Sequence, residues 1–217
     1  MKTSSRGRQT RVPLTRERVL RAAIDVADRE GIEAITMRRL GRELGVEGMA
    51  LYRYVANKDD VLGGVVDLLV SDIDLPSSTG DDWRAAIRRR AMVARKIIRR
   101  HRWAPRLITS RQAMGPSMLR YLEAVTADFR DGGFSHELGH HAMHVLGARL
   151  WGFSQEPFNE GELSPEVTRA FVRQISEGDY PAIAAALSDA HHDDDLEFAF
   201  GLDLILDGLE RARNGPA

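Results

Sequence analysis

Three observations predict an all-α chain in two parts. Apolar side chains recur every three to four residues along nearly the whole sequence, while the alternating pattern of strands is almost absent. Helix start and stop residues punctuate those runs at regular intervals. The charge is also unevenly divided. Residues 1–60 carry 13 Lys and Arg against 9 Asp and Glu, whereas the remainder carries 18 against 23, so a net of +4 is joined to a net of −5. A small basic part on a larger acidic body suggests a polyanion-binding module attached to something with another task.

The basic part opens with six cationic side chains in 18 residues (Lys2, Arg6, Arg8, Arg11, Arg16, Arg18). This arm can reach a DNA groove or phosphates, or remain a solvated tail. Thr15 is placed to cap a first helix whose apolar stripe is Val19, Ala22, Ala23, Val26 and Ala27, with Gly31 as its stop. Thr36 caps a second helix, in which Leu40 and Leu44 face inward before Gly45. A third is expected over Glu47 to Val55. Asn57 caps a fourth, running to about Ile73 on Val61, Leu62, Val65, Leu68 and Leu69.

Pro76-Ser77-Ser78-Thr79-Gly80 reads as a linker, dividing the chain into 1–75 and 76–217. Beyond it, a helix is expected from Asp81 or Asp82 to about His101, broken by Pro105. Another covers Ser117 to Arg130, closed by Gly132-Gly133. Ser135 caps the next, to about Gly152, with Phe134 as a hydrophobic staple. Residues 154–165 read as a loop, short helices follow near 165–177 and 180–190, and a last helix spans Asp194 to Arg213. The total is nine or ten helices.

Composition excludes several classes. Among 217 residues there is no cysteine, hence no disulfide framework, thiolate metal site or cysteine nucleophile. No apolar run approaches the roughly 18 residues of a membrane span. The basic start lacks the apolar stretch of a secretory signal, so the expected compartment is the cytoplasm.

Residues 36–55, TMRRLGRELGVEGMALYRYV, have the pattern of a helix-turn-helix. Gly45 supplies a tight turn between two helices, and the second offers small and polar residues at its start with Leu51 behind them. Such a unit lets its second helix enter the major groove while the first crosses the backbone. The same twenty residues also suit an ordinary α-hairpin.

The surrounding residues extend the pattern. Ala22-Ala23, Gly31-Ile32, Thr36-x-Arg38-x-Leu40, Leu44-Gly45-Val46, Ala50-Leu51-Tyr52-x-Tyr54-Val55 and Asn57-Lys58-x-x-Val61-Leu62 together resemble the tetracycline-repressor (TetR) family of transcription factors over Val19 to Val66. The resemblance implies a DNA-contacting set of Thr36, Arg38, Glu47, Gly48, Met49, Tyr52, Arg53, Tyr54 and Lys58. In it the second helix reads bases from Glu47 onward, Tyr52 and Tyr54 lie on sugar-phosphate, and Lys58 clamps a phosphate. A lysine at a helix start is an anion site on physical grounds too. Arg38 is placed to reach a base edge, guanine being the commonest arginine target, or is one surface arginine beside Arg39 and Arg42. Gly48 and Met49 depart from the usual hydrogen-bonding residues of the family. Readout is therefore expected to lean on Arg38, Arg53 and apolar contact with thymine methyls.

The larger part resembles the tetracycline-repressor type more weakly, through Asp82-Trp83, Thr109-Ser110-Arg111, Gly132-Gly133-Phe134-Ser135 and the tail Phe198 to Glu210. By that resemblance it dimerises and holds an inducer. The implied ligand contacts are Arg90, Trp103, Arg111, His140, Met143, His144 and Trp151; the tryptophans suit core filling equally well. The two histidines with which those repressors hold drug and metal are replaced by Ile73 and Leu107, although Glu156 matches an acidic contact. A magnesium–tetracycline chelate is therefore not expected, and no cofactor is. Arg90 and Arg111 point instead to an apolar or aromatic molecule with an acidic group.

The tail adds a physical argument. Phe198, Leu202, Ile205 and Leu209 form one stripe, and Phe200, Leu204 and Leu206 widen it beyond the arc of about 100° that one amphipathic face needs. The helix must be covered on two sides, with Gly201 and Gly208 allowing close approach. The expected dimer contacts are Phe198, Leu202, Ile205, Leu206 and Leu209; a central helix of a monomeric bundle is the alternative. Two half-sites one turn apart require the same twofold symmetry. His136-Glu137-Leu138-Gly139-His140 matches H-E-x-x-H, which makes a zinc hydrolase built on His136, Glu137 and His140 the competing class. A DNA binder without a ligand is a third. The arginine-rich segment 84–106 reads as a solvated face paired with acidic residues near 193–197, in preference to a membrane-surface helix. The expectation is a homodimeric repressor released from a palindromic operator by a small molecule.

Overall fold

A computed structural model describes residues 13–73, 82–110, 114–152, 165–189 and 193–215. Among them are eleven α-helices, a 3₁₀ turn and no strand. The helices are α1 (Arg16–Glu30), α2 (Met37–Leu44), α3 (Gly48–Leu51), α4 (Lys58–Ser71), α5 (Trp83–Arg100) and α6 (Ala104–Ser110). They continue with α7 (Pro116–Asp131), α8 (His136–Gly152), α9 (Pro165–Glu177), α10 (Pro181–Asp189) and α11 (Asp194–Asn214). The chain divides into compact units over Met1–Leu68 and Leu69–Ala217, so the division falls inside α4, ahead of the Pro76–Gly80 stretch. No helix among the described residues is long and apolar enough to cross a membrane.

In the first unit the helix ends are fixed by local chemistry. The Thr15 and Thr36 hydroxyls accept from the Arg18 and Arg39 amides at 3.1 Å, and the Asn57 side chain accepts from Asp60 at 2.8 Å. Gly45 closes α2 at φ 66°, ψ 34°, a left-handed turn that a side chain disfavours. Val19, Ala23, Val26, Ile35, Leu40, Leu51, Val61 and Val65 form the core.

In the second unit Pro105 sits in the first turn of α6, where a missing amide hydrogen costs nothing, so it starts that helix as well as ending the preceding segment. Phe134 does not staple α8, whose fourth residue is Gly139. It joins Trp83 and Phe129 in a cluster with ring centroids 4.7 and 5.0 Å from Phe134, covered by the Arg213 guanidinium. The arginines of α5 do pair with acidic residues, but along α11: Arg84 with Asp207 at 2.6 Å, Arg88 with Asp203 at 3.0 Å, and Arg99 with Asp195. Two of them are not on a solvated face. Arg90 and Arg95 are buried, and burial lowers the Arg95 pKa against the pull of Asp195 and Asp194.

Phe198, Leu202, Leu206 and Leu209 are buried within their own subunit, and Ile205 is partly buried. Four of the five expected dimer residues thus hold α11 to its own fold. The face left open is the next row around the helix, Leu196, Phe200 and Leu204. Gly201 faces inward, where a Cβ would lie 2.6 Å from the Arg149 guanidinium; Gly208 meets nothing.

Candidate DNA-binding surface and ligand cavity

Two glycines bring α2 and α3 together. A Cβ on Gly41 would lie 2.8 Å from the Gly48 amide nitrogen and the Val46 carbonyl, and a Cβ on Gly48 would lie 3.1 Å from the Met37 carbonyl. Backbone stands against backbone, so there is no room for side chains. Gly48 is therefore a spacer, and the expected reading of bases through that position has no side chain behind it. The close approach sets the start of α3 beside Thr36, Met37 and Arg38. Thr36 spends its hydroxyl on the Arg39 amide.

Helix α3 is shorter than the expected Glu47 to Val55. It ends at Leu51, where the Tyr54 amide turns back to the Leu51 carbonyl at 2.8 Å. Leu51 is fully buried, which turns Met49 (74% exposed), Tyr52 and Arg53 outward; Glu47 is exposed and Tyr54 partly buried. The tail of this segment is held by Arg16, whose guanidinium donates to the Tyr54 carbonyl at 3.1 Å and to Asp60 at 2.6 and 2.9 Å. Asp60 also accepts from the Ala56 amide, and with Arg16 this holds its carboxyl down to about 2.

The ion pairs sort the cations. Arg29 and Arg39 are bound to Glu43, Arg39 also to Glu30, and Arg16 to Asp60. Arg38, Arg53 and Lys58 have no such partner among the described residues, and they lie at the start of α2, after α3 and at the start of α4. Three uncommitted cations around a protruding helix are what a phosphate backbone requires.

The second unit contains a cavity of about 60 Å³ between three helices. Helix α5 supplies Ile87, Arg90 and Ala91; α7 supplies Met118, Tyr121, Leu122 and Val125; α8 supplies Met143, Leu146, Gly147, Leu150 and Trp151. Arg90 donates to Asp128 of α7 at 2.6 Å, with side chains 2% and 8% exposed, so its charge is already matched. Tyr121 is buried and its hydroxyl has no hydrogen-bond partner among the described residues. Burial pushes that hydroxyl up to about 12, against a smaller opposing effect of Arg90, so it stays protonated and ready to donate.

Of the expected ligand contacts, Arg90, Met143 and Trp151 line this cavity. His140 and His144 are exposed and do not, nor does Trp103, which packs 5.9 Å from the His101 ring; Arg111 and Glu156 lie outside the described residues. Ile73 and Leu107, where drug and metal are held in the tetracycline type, are buried apolar side chains. Tyr121 and Asp128 were absent from the expected set, although Met118, Tyr121, Leu122, Val125 and Phe129 mark one face of α7 in the sequence. His136, Glu137 and His140 are all exposed at the start of α8, and among the described residues no three His, Asp or Glu gather to hold a metal.

Known proteins show the same two parts. Residues 19–65 match the family described as bacterial regulatory proteins, tetR family, and residues 75–213 match the tetracyclin repressor-like C-terminal domain. The HTH-type transcriptional repressor DrrR1 of Streptomyces coeruleorubidus is 36% identical over 209 residues, 91% of this chain and 77% of that one. A possible TetR family transcriptional regulator of Streptomyces coelicolor A3(2) is 32% identical with a TM-score of 0.77, over 90% of this chain and 98% of its own. ActR of Streptomyces coelicolor, in its complex with actinorhodin, is 25% identical with a TM-score of 0.75, over 94% and 100%. With a helix-turn-helix at one end and matches that span most of its length, this chain belongs to the TetR family of DNA-binding transcriptional regulators.

Proposed function

We propose that this chain is a cytoplasmic, homodimeric repressor that leaves a palindromic operator when a neutral, largely apolar molecule enters the cavity between α5, α7 and α8. The observation that carries the DNA reading is the contrast between the paired arginines and the uncommitted Arg38, Arg53 and Lys58 beside exposed Met49 and Tyr52. Arg38 and Arg53 reach base edges or phosphates, and Lys58 takes a phosphate at the start of α4. Self-association uses Phe200, Leu204 and Gly208 of α11 with Val145 of α8, since an open apolar row of this kind marks an interface.

The ligand reading rests on the cavity's charge. An acidic ligand would meet Arg90 already bound to Asp128, and burying an unmatched charge costs several kcal/mol. A neutral molecule with one acceptor for the Tyr121 hydroxyl meets no such penalty, which replaces the acidic ligand expected earlier. ActR, similar in fold, has been solved with actinorhodin bound. Drug-sized ligands need roughly 300–1,000 Å³, so entry must enlarge the cavity, and the unbranched side chains of Met118 and Met143 are the parts that yield. A ligand that fits only the enlarged state shifts the equilibrium toward it, and α4, whose residues continue from the DNA-binding unit, carries the change in half-site spacing. No residue is assigned a catalytic role and no cofactor is needed.

The test uses a duplex selected from random sequence with the purified protein. Replacing Arg53 and Lys58 by alanine should weaken binding and lower the slope of log K against log salt by about 2, one unit for each lost phosphate contact. An unchanged slope refutes the reading.

A further inference from the structure

The sequence motif would pair His136 with His140. The structure pairs His140 with His144. Their Nε2 atoms lie 3.2 Å apart and their rings meet edge to face with centroids at 4.6 Å. From this geometry we infer that His140 and His144 form a two-imidazole chelate for a borderline divalent metal ion such as Zn²⁺ or Ni²⁺.

The spacing carries the argument. Zinc–nitrogen bonds are about 2.0–2.1 Å, and two of them at a tetrahedral angle separate their nitrogens by about 3.3–3.4 Å. The observed 3.2 Å is that bite, reached before any metal arrives. Both donors are the same ring atom, presented one helical turn apart on one side of α8, as i and i+4 side chains must be. The pair sits in the second and third turns of α8, clear of the first turn that holds His136, so its backbone does not fray.

The fold has no other use for the pair. Helix α8 is held by Ala142, Leu146 and Leu150 on its buried side, while His140 and His144 are exposed. Their further contact is the His141 ring, 6.1 Å from that of His140, and His141 itself leans toward Glu137 at 3.9 Å. Imidazole is the nitrogen donor that zinc, nickel and copper accept, whereas magnesium and calcium require oxygen. With two protein ligands, water completes the coordination, so the site is open and reversible. It lies one residue from cavity-lining Met143 and one from exposed Val145, so an occupied chelate clips the turn of α8 between cavity and open face.

The experiment adds zinc chloride alone to the full-length protein and to His136→Ala, His140→Ala and His144→Ala, followed by calorimetric titration and by thermal unfolding. A helical far-UV spectrum matching that of the parent confirms that each variant is folded. The expected result is one Zn²⁺ per chain with an unfolding midpoint raised by a few degrees, reversed by chelator, kept in His136→Ala and lost in the other two. No binding at millimolar zinc, binding that survives His144→Ala, or loss in His136→Ala would overturn the inference. None of these outcomes depends on the DNA or inducer readings, which stand or fall separately.

Discussion

Asp128→Asn tests the ligand cavity at its most sensitive point. The carboxylate matches a guanidinium 2.6 Å away in a site where the two side chains are 2% and 8% exposed. Removing one partner of such a pair costs about 3–5 kcal/mol because the remaining charge is left buried. Asparagine keeps the shape and one acceptor, which puts this substitution near the lower end, about 3 kcal/mol. For a chain of this size each kcal/mol moves the unfolding midpoint by about 2–4 °C, so a fall of about 6–12 °C is expected at pH 7 and fixed protein concentration. The same change leaves the cavity with an unmatched positive charge. Tryptophan fluorescence should then show 1-naphthol favoured over 1-naphthoate by the parent and the order reversed in Asp128→Asn. A double Arg90→Met, Asp128→Leu variant, which removes both charges, should recover most of the lost stability. A midpoint shift below about 2 °C, or an unchanged preference between phenol and carboxylate, would refute the reasoning.

Three further outcomes follow from the geometry. Gly41→Ala forces a Cβ to within 2.8 Å of backbone atoms of Val46 and Gly48, so chemical denaturation should show a loss of about 1–3 kcal/mol together with loss of DNA binding. Asp60 has its carboxyl pKa lowered from 3.8 to about 2, chiefly by Arg16, so its contribution is present above about pH 4 and disappears as pH falls toward 2. At this partly exposed site Asp60→Asn should cost about 1 kcal/mol at pH 7 after solvent screening, with the gap to the parent closing in urea titrations at pH 2–3. Phe200→Arg with Leu204→Arg, on side chains 68% and 54% exposed, should halve the mass in sedimentation without lowering helix content.

What was legible in the sequence was local. Thr15, Thr36, Asn57 and Ser135 act on amides three residues away, and Gly45 sets its own φ, so caps and turns need no knowledge of the fold. What depends on distant partners was not. Gly48 reads as an open position on a recognition helix until the Met37 carbonyl is found against it. Arg90 reads as a ligand-binding cation until Asp128, 38 residues away, is seen to hold it. Periodicity shows that α11 is apolar on two sides, but it carries no information on which side the subunit itself covers. The H-E-x-x-H string misleads for a related reason: His136 and His140 share a face with His144, and only side-chain geometry tells which two meet.

The two rows of α11 separate two tasks that many dimers merge. Phe198, Leu202 and Leu206 are committed to the subunit's interior, while Leu196, Phe200 and Leu204 are committed to nothing inside it. After gene duplication, drift in the outer row can make sister proteins ignore each other, or pair in new combinations, without any loss of foldedness. Which copies mate is thus written on a strip of one helix that evolution can edit alone.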